Sequence, residues 1–186
     1  SRPAHDPKAS PFSSSASTCT GPGRYLRGTS DLGLTLGGQS PLVLRAYVDS
    51  DWANDPDYRT SITGYTLFLG NSCINSVAKN QDRIALLSTE AEYIAMSACS
   101  SKLVWMRRIL GDIGAPQGPP TAIYEDNEPC IDLAHNAVLT ARTMRVDVKF
   151  HKTRERVRDG IIDIRSIASA NNTADSMTKP LSRVTV

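Results

Sequence analysis

The sequence predicts an α/β domain, a mixed five-stranded sheet flanked by helices in the order βββαβααβα. Three observations predict it. Apolar residues alternate with period two over 42–48, an apolar stripe at helical spacing runs from 92 to 110, and short strand-like runs then alternate with helical ones. At 186 residues, 40% of them hydrophobic and 22% charged, the chain suits one ordinary core rather than two full domains.

Residues 1–23 are rich in Ser, Pro and Thr and are expected to be disordered. Residues 24–40 read as a connector, broken by Gly28, Gly33, Gly37 and Gly38, before a domain expected over 41–182 with a tail at 183–186. Leu42, Leu44, Ala46 and Val48 alternate with Val43, Arg45 and Tyr47 as a first strand. Thr63–Gly70 and Ser72–Ala78 form a second and third, joined at Gly70-Asn71 by a tight hairpin. A long helix is expected from Thr89 to Asp112, ending at Gly114 and Pro116. Thr121–Glu125 is the fourth strand, followed by helices over 128–136 and 144–158, the latter stopped by Asp159-Gly160. Ile161–Ile167 is the fifth strand, and a short helix over Asn172–Thr178 is halted by Pro180.

Four carboxylates stand at the ends of these elements: Asp49, Glu92, Asp126 and Asp175. Acids so placed can converge on one edge of a sheet and form an oxygen-rich site for hard divalent cations. Each also has a purely structural explanation. Asp49 could cap a turn, and Asp51 shares its strand face, so alternation does not choose between them. Glu92 continues the stripe Met96, Cys99, Leu103, Met106 and Leu110, whereas Glu90 continues a stripe that turns polar, which places Glu92 nearer the core. Glu92 could also close a capping box with Thr89. Asp126 could be a helix N-cap, and Asp175 could complement a helix dipole.

Composition narrows the classes further. No run approaches the ~18 apolar residues of a membrane helix, and no basic leader precedes an apolar signal core, so the chain is expected to be intracellular and cytoplasmic rather than secreted or membrane-bound. Cys19, Cys73, Cys99 and Cys130 form no CxxC and read as free thiols, the last three in the core. The formal charge of +2 resides in residues 1–40. Within the neutral remainder, Arg142, Arg145, Lys149, Lys152, Arg154, Arg156 and Arg158 face only Asp147 and Glu155 across 142–158. That stripe fits a phosphate-backbone contact, with Arg142, Arg145, Lys149, Lys152 and Arg156 as its expected members, or else a solvated helix face.

The chain resembles the C-terminal ribonuclease H domain of copia-type retrotransposon Pol polyproteins. The resemblance is carried by RYLRGTSDLGL (24–34), YVDSDWANDPDYRTSITGYTLFLG (47–70), LSTEAEYIAMSACSSKLVWMRRIL (87–110), IYEDNEPCIDLAHN (123–136), ARTMRVDVKFHKTRE (141–155) and TADSMTKPL (173–181). It implies an RNase H-like fold in which Asp49, rather than Asp51, joins Glu92, Asp126 and Asp175 to bind two Mg²⁺ ions, with Mn²⁺ as substitute. It further implies hydrolysis of the RNA strand of an RNA–DNA hybrid, a reverse transcriptase polymerase domain as partner, a virus-like particle as setting, and 24–40 as the link to the polymerase. No polymerase YxDD motif is present, and 1–23 match nothing recognisable, which reads as a fragment, a decayed copy or an isolated product. The sequence also departs from the family: Ile167–Asn172 contains no histidine where retroviral and cellular relatives carry one, as expected for the copia type, and Ser76, Pro129 and Arg145 are unusual. His135 and His151 read as structural. The alternatives are a catalytically silent remnant that binds nucleic acid at most, and a DNA-cleaving transposase, which normally needs only three acids.

Overall fold

A computed structural model of the chain describes residues 30, 33, 37, 40–53, 59–136 and 147–179, with backbone alone over 147–150. The chain divides into two units, Ser1–Leu34 and Thr35–Val186, and every described helix and strand belongs to the second. The expected disorder of 1–23 and tail at 183–186, most of the connector 24–40, Cys19, Arg142 and Arg145 lie outside the described residues.

Strands β1 (Leu44–Asp51), β2 (Ile62–Leu69) and β3 (Ser72–Asn80) form an antiparallel meander. Strands β4 (Thr121–Glu125) and β5 (Ile162–Ser166) add in parallel, giving the order β3-β2-β1-β4-β5. Helices α1 (Ser88–Asp112), α2 (Glu128–His135), α3 (Asp147–Arg158) and α4 (Asp175–Thr178) complete the expected βββαβααβα order, with a 3₁₀ turn at Ser169–Asn171 before α4. The β2–β3 hairpin turns at Gly70, whose φ of +59° suits the first position of a two-residue turn.

The β1 alternation sorts the sheet into two faces. Leu44, Ala46 and Val48, with Tyr65 and Leu67 opposite, are buried in the core that includes Ala95, Met96, Cys99 and Leu103 of α1. On the other face Tyr47 meets Phe68 edge-on at 5.6 Å and stacks on Tyr124 at 5.0 Å. The α4 segment lies on this second face, across Gly64.

Several boundaries differ from expectation for local reasons. β1 begins at Leu44, because the Gln117 side chain takes up the chain just before it: Leu44 N–H donates to Gln117 Oε1 at 2.8 Å, and Gln117 Nε2 donates to the Leu42 carbonyl at 2.9 Å. Leu42 is thereby left 57% exposed rather than in the strand's buried row. α1 starts at Ser88 with Leu87 as N-cap and no side-chain cap, so Thr89 and Glu92 do not form the capping box. Glu90 instead accepts from the Leu86 N–H at 2.8 Å. The first half of α1 is buried almost all round, Ile94 and Ser97 included, a wider face than the single stripe read from sequence. Small residues there (Ala91, Ala95, Ser97, Ser100) let neighbouring elements approach closely. α4 is shorter than expected: the Asn172 side chain donates to the Val48 carbonyl at 2.9 Å and accepts from the Ala174 N–H at 3.1 Å, which holds the chain in a turn ahead of the helix. Pro129 sits in the first turn of α2, where its missing N–H costs nothing. Cys99 and Cys130 are buried, but Cys73 is only half-buried; all three are free thiols.

Candidate metal centre

The carboxyl ends of parallel β1 and β4 point the same way, and the N-terminal turns of α1 close over them. Asp49 comes from the end of β1, Asp126 from just past β4 and Glu92 from the second turn of α1. One carboxylate oxygen from each lies within 4.8 Å of the others. That grouping does not take in Asp175, which is linked to Asp49 through Lys179 and Thr178.

Two polar anchors hold the opening of α1. Gln81 Nε2 donates to Thr63 Oγ1 at 3.2 Å and to the Ala91 carbonyl at 2.9 Å, fixing the helix start to β2. Trp52 Nε1 donates to the Ala85 carbonyl at 3.1 Å, fixing the preceding loop to the end of β1. β4 is set by Arg107, which donates to the Pro119 carbonyl at 2.9 Å and to Thr121 Oγ1 at 2.6 Å.

Burial separates the paired candidates. Asp49 is 1% exposed and Asp51 only half-buried, while Glu92 is buried and Glu90 caps a loop. Asp126 is not the N-cap of α2: Asn127 is, accepting from the Cys130 N–H at 3.0 Å. Asp126 Oδ2 instead accepts from the Ser169 hydroxyl at 2.5 Å. Ser169 belongs to the segment that lacks the family's histidine. Of the two expected structural histidines, His135 has its Nε2 3.4 Å from the Ile164 carbonyl.

Burial pushes the Glu92 carboxyl up to about 8, and the charges of Asp49 and Asp126 add to the effect. Burial likewise raises Asp49, although the Thr178 hydroxyl and Lys179 pull it back. Lys179 Nζ lies 3.3 Å from Asp49 Oδ1 and 3.1 Å from Asp175 Oδ1, while Thr178 donates to Asp49 Oδ2. Partial burial works against the lysine's charge, but the two carboxylates outweigh it and raise its pKa.

A fifth acid was missed in the sequence. Glu125 is fully buried behind the cluster, and burial and then Glu92 raise its pKa well above the ordinary range. Its Oε1 accepts from the Asn127 N–H at 3.1 Å, and its Oε2 has no partner. The signal was there, since Glu125 continues the buried alternation Thr121, Ile123. Lys179 was likewise overlooked as a site residue, although it stands four residues after Asp175 on a helical spacing.

The donor set fits a hard cation. All the grouped donors are carboxylate oxygens, their mutual repulsion is only partly offset, and buried Glu92 Oε2 lacks a partner.

Of the expected basic stripe, Lys152 is exposed. Arg156 is bound down on α1, donating to Ser100 Oγ at 2.6 Å and Ser101 Oγ at 3.0 Å. Lys149 falls on α3 by its backbone, and Arg142 and Arg145 lie outside the described residues.

Comparison with known proteins agrees with this architecture. No family model matches the chain. It is 39% identical over 160 residues, 86% of its length, to the retrovirus-related Pol polyprotein from transposon TNT 1-94 of Nicotiana tabacum. It is 37% identical over 161 residues to the corresponding polyprotein from transposon RE2 of Arabidopsis thaliana. The chain spans only 12% and 11% of the length of these two relatives. Among solved structures, LC11-RNase H1 from compost superposes with a TM-score of 0.55 at 16% identity, covering 74% of this chain and 93% of that one. The same protein in complex with an RNA/DNA hybrid gives 0.53 at 15% identity, covering 73% and 93%. The chain is therefore a relative of the retrovirus-related Pol polyproteins of plant transposons, built on the ribonuclease H fold.

Proposed function

We propose that this chain is a divalent-metal-dependent ribonuclease H that cleaves the RNA strand of RNA–DNA hybrids during retrotransposon reverse transcription. The observation that carries the reading is the convergence of Asp49, Glu92 and Asp126 oxygens within 4.8 Å at the carboxyl ends of β1 and β4. The fold and the Pol relatives support it, and the solved relative bound to an RNA/DNA hybrid supports the choice of substrate.

Asp49, Glu92, Asp126 and Asp175 would hold two Mg²⁺ ions, or Mn²⁺ in their place. When bound, such ions supply a lowered pKa for an attacking water and neutralise charge on the leaving oxygen. The chain's own residues prepare for this. Asp49 is held from one side by Thr178 and Lys179, which fixes its rotamer. Asp126 is oriented by Ser169. Glu92, with its raised pKa, must give up its proton as a cation binds, so loading releases protons. Lys152, which is exposed, would meet a phosphate backbone, with Arg142, Arg145 and Lys149 as proposed companions.

The partners follow the same reading: an RNA–DNA hybrid, and the polymerase domain of the same polyprotein, with residues 24–40 as the link and 41–182 as the catalytic domain. The setting is intracellular, in a virus-like particle.

The test is cleavage of a hybrid labelled on both strands, with Mg²⁺ or Mn²⁺, by the wild-type chain and by Asp126→Asn. RNA-strand cleavage that is lost in the variant is the expected result. Folded wild-type protein that leaves the RNA intact would return the chain to a silent relative that binds nucleic acid at most.

A further inference from the structure

Beside the carboxylates the chain builds an apolar ledge that the core does not use. Along β1, Asp49 belongs to the acid cluster and the Ser50 side chain faces the Glu92 carboxyl. Trp52, just past the strand, keeps its period of two and falls on the α1 side with Ser50, where its indole N–H donates to the Ala85 carbonyl at 3.1 Å. Ile84, Leu86 and Leu87 stand on the segment between β3 and α1, and Leu87 is the N-cap of the helix that carries Glu92. All four side chains are exposed, Trp52 by 44% and Leu86 by 67%. The backbone beneath them is fixed. The Gln81 N–H donates to the Ser61 carbonyl at 2.8 Å, the Gln81 side chain holds Thr63 and Ala91, Ala85 is buried, and Glu90 takes up the Leu86 N–H. Large apolar groups held outward on a braced loop make a contact surface.

We propose that Trp52, Ile84, Leu86 and Leu87 form a substrate-contact ledge that packs against the sugars of the hybrid next to the phosphate being cut, with Trp52 as its principal residue. This rests on the function proposed above and names where its substrate is gripped without charge. Three residues of extended chain span about 10 Å, so a phosphate held at Asp49 brings the neighbouring sugars over Trp52. The chemistry of the ledge selects the part of the nucleic acid. Phosphates call for cations or N–H donors and base edges for hydrogen-bonding groups, and the aliphatic side chains of Ile84, Leu86 and Leu87 offer neither. The Trp52 N–H is already engaged by Ala85, which leaves its ring as an apolar face. Sugars present C–H surface, and the wide, shallow minor groove of an A-like duplex leaves them open to a blunt ledge. Lys152 would act by charge from a distance, whereas the ledge acts by contact and seats the hybrid over the acids.

The chain has two tryptophans, which makes the test direct. Trp105 stands further along α1, with the Lys102 ammonium 3.9 Å from its ring centre, and is no part of the ledge. In the full chain carrying Asp126→Asn to block cleavage, Trp105→Phe leaves Trp52 as the sole fluorophore of its kind. Its emission is quenched with acrylamide, with and without a saturating RNA–DNA hybrid whose binding is followed separately by anisotropy of a label on the DNA strand. The quenching constant should fall by about half on binding, since a contacted indole keeps one face in water instead of two. Trp52→Ala should weaken hybrid binding by about ten-fold, as for roughly 60 Å² of apolar surface left in water, without changing the slope of log affinity against log salt. Leu86→Ser, at a side chain the core does not use, should weaken it in the same way by a smaller factor, and circular dichroism melts establish that each variant is folded. Hybrid that binds while Trp52 stays open to the quencher, or an affinity unmoved in both Trp52→Ala and Leu86→Ser, overturns the ledge and leaves the ribonuclease reading standing. Trp52 already shielded in a self-associated free chain overturns it as well, and assigns these groups to a protein contact. A hybrid that does not bind the folded chain overturns the ribonuclease reading, and the ledge with it.

Discussion

Alongside Glu125, Glu92 is the member of the acid cluster that burial and its neighbours press hardest towards protonation at neutral pH. Its pKa is raised from about 4.5 to about 8, so in the metal-free chain the ionised form is penalised by the fold. Protonation removes the penalty on the charge; this contribution to stability is therefore full below about pH 4.5 and falls as pH rises towards about 8. At 1.36 kcal/mol per pH unit the loss has an upper bound of a few kcal/mol. Thermal melts in EDTA should show this fall in wild type and a flatter profile in Glu92→Gln, whose amide cannot ionise. Added Mg²⁺ should raise the wild-type melting temperature more at pH 8 than at pH 6 and have little effect on the variant. A wild-type melt independent of pH over this range would remove Glu92 as the strained group. The choice of Glu92 over Glu90 was legible in sequence because helical spacing links it to Met96 and Leu103. The choice of Asp49 over Asp51 was not legible in spacing, because period two puts both on one face; burial at the strand end decides it.

At the level of elements, the centre depends on how closely α4 lies on β2, and Gly64 is the hinge of that contact. Gly64→Ala places a methyl group where Thr178 now sits, so it should destabilise the chain by about 1–3 kcal/mol, the usual cost of overpacking. It should also detach Thr178 and Lys179 from Asp49. Urea denaturation measures the first effect; an unchanged midpoint would mean that α4 is not seated as described. Gln81→Ala tests the opposite wall. It removes two buried hydrogen bonds that fix α1 to β2, at an expected cost of about 1–3 kcal/mol by the same assay. The strand and helix order was readable from periodicity, including the short β4 and its buried alternation. The contacts that finish the site were not. Thr178 and Lys179 reach Asp49 across 129 and 130 positions of sequence, and only the β1–β2 register with a glycine opposite Asp49 permits it. No local pattern encodes that pairing.

Over the molecule as a whole, the charges of α3 divide into two kinds that sequence alone shows as one stripe. Arg156 donates to the hydroxyls of Ser100 and Ser101, which themselves donate to the Ser97 carbonyl at 3.0 Å each, so a small network joins α3 to α1. Arg154 Nε donates to the Leu133 carbonyl at 2.9 Å and joins α3 to α2. Lys152 instead stands exposed on the same helix. The two kinds should respond differently to mutation. Lys152→Ala should leave the melt unchanged and, if the lysine meets one phosphate, reduce the slope of log affinity against log salt by about 1 for a hybrid. Arg156→Ala should lower stability by about 1–3 kcal/mol through the loss of the two hydrogen bonds that join α3 to α1, with little change in slope. Hybrid binding to the Asp126→Asn background, followed by fluorescence anisotropy across a salt series, separates the two without cleavage. A slope that moves with Arg156 and not with Lys152 would reverse the assignment, making the α1–α3 network secondary and the anchored arginine the phosphate contact.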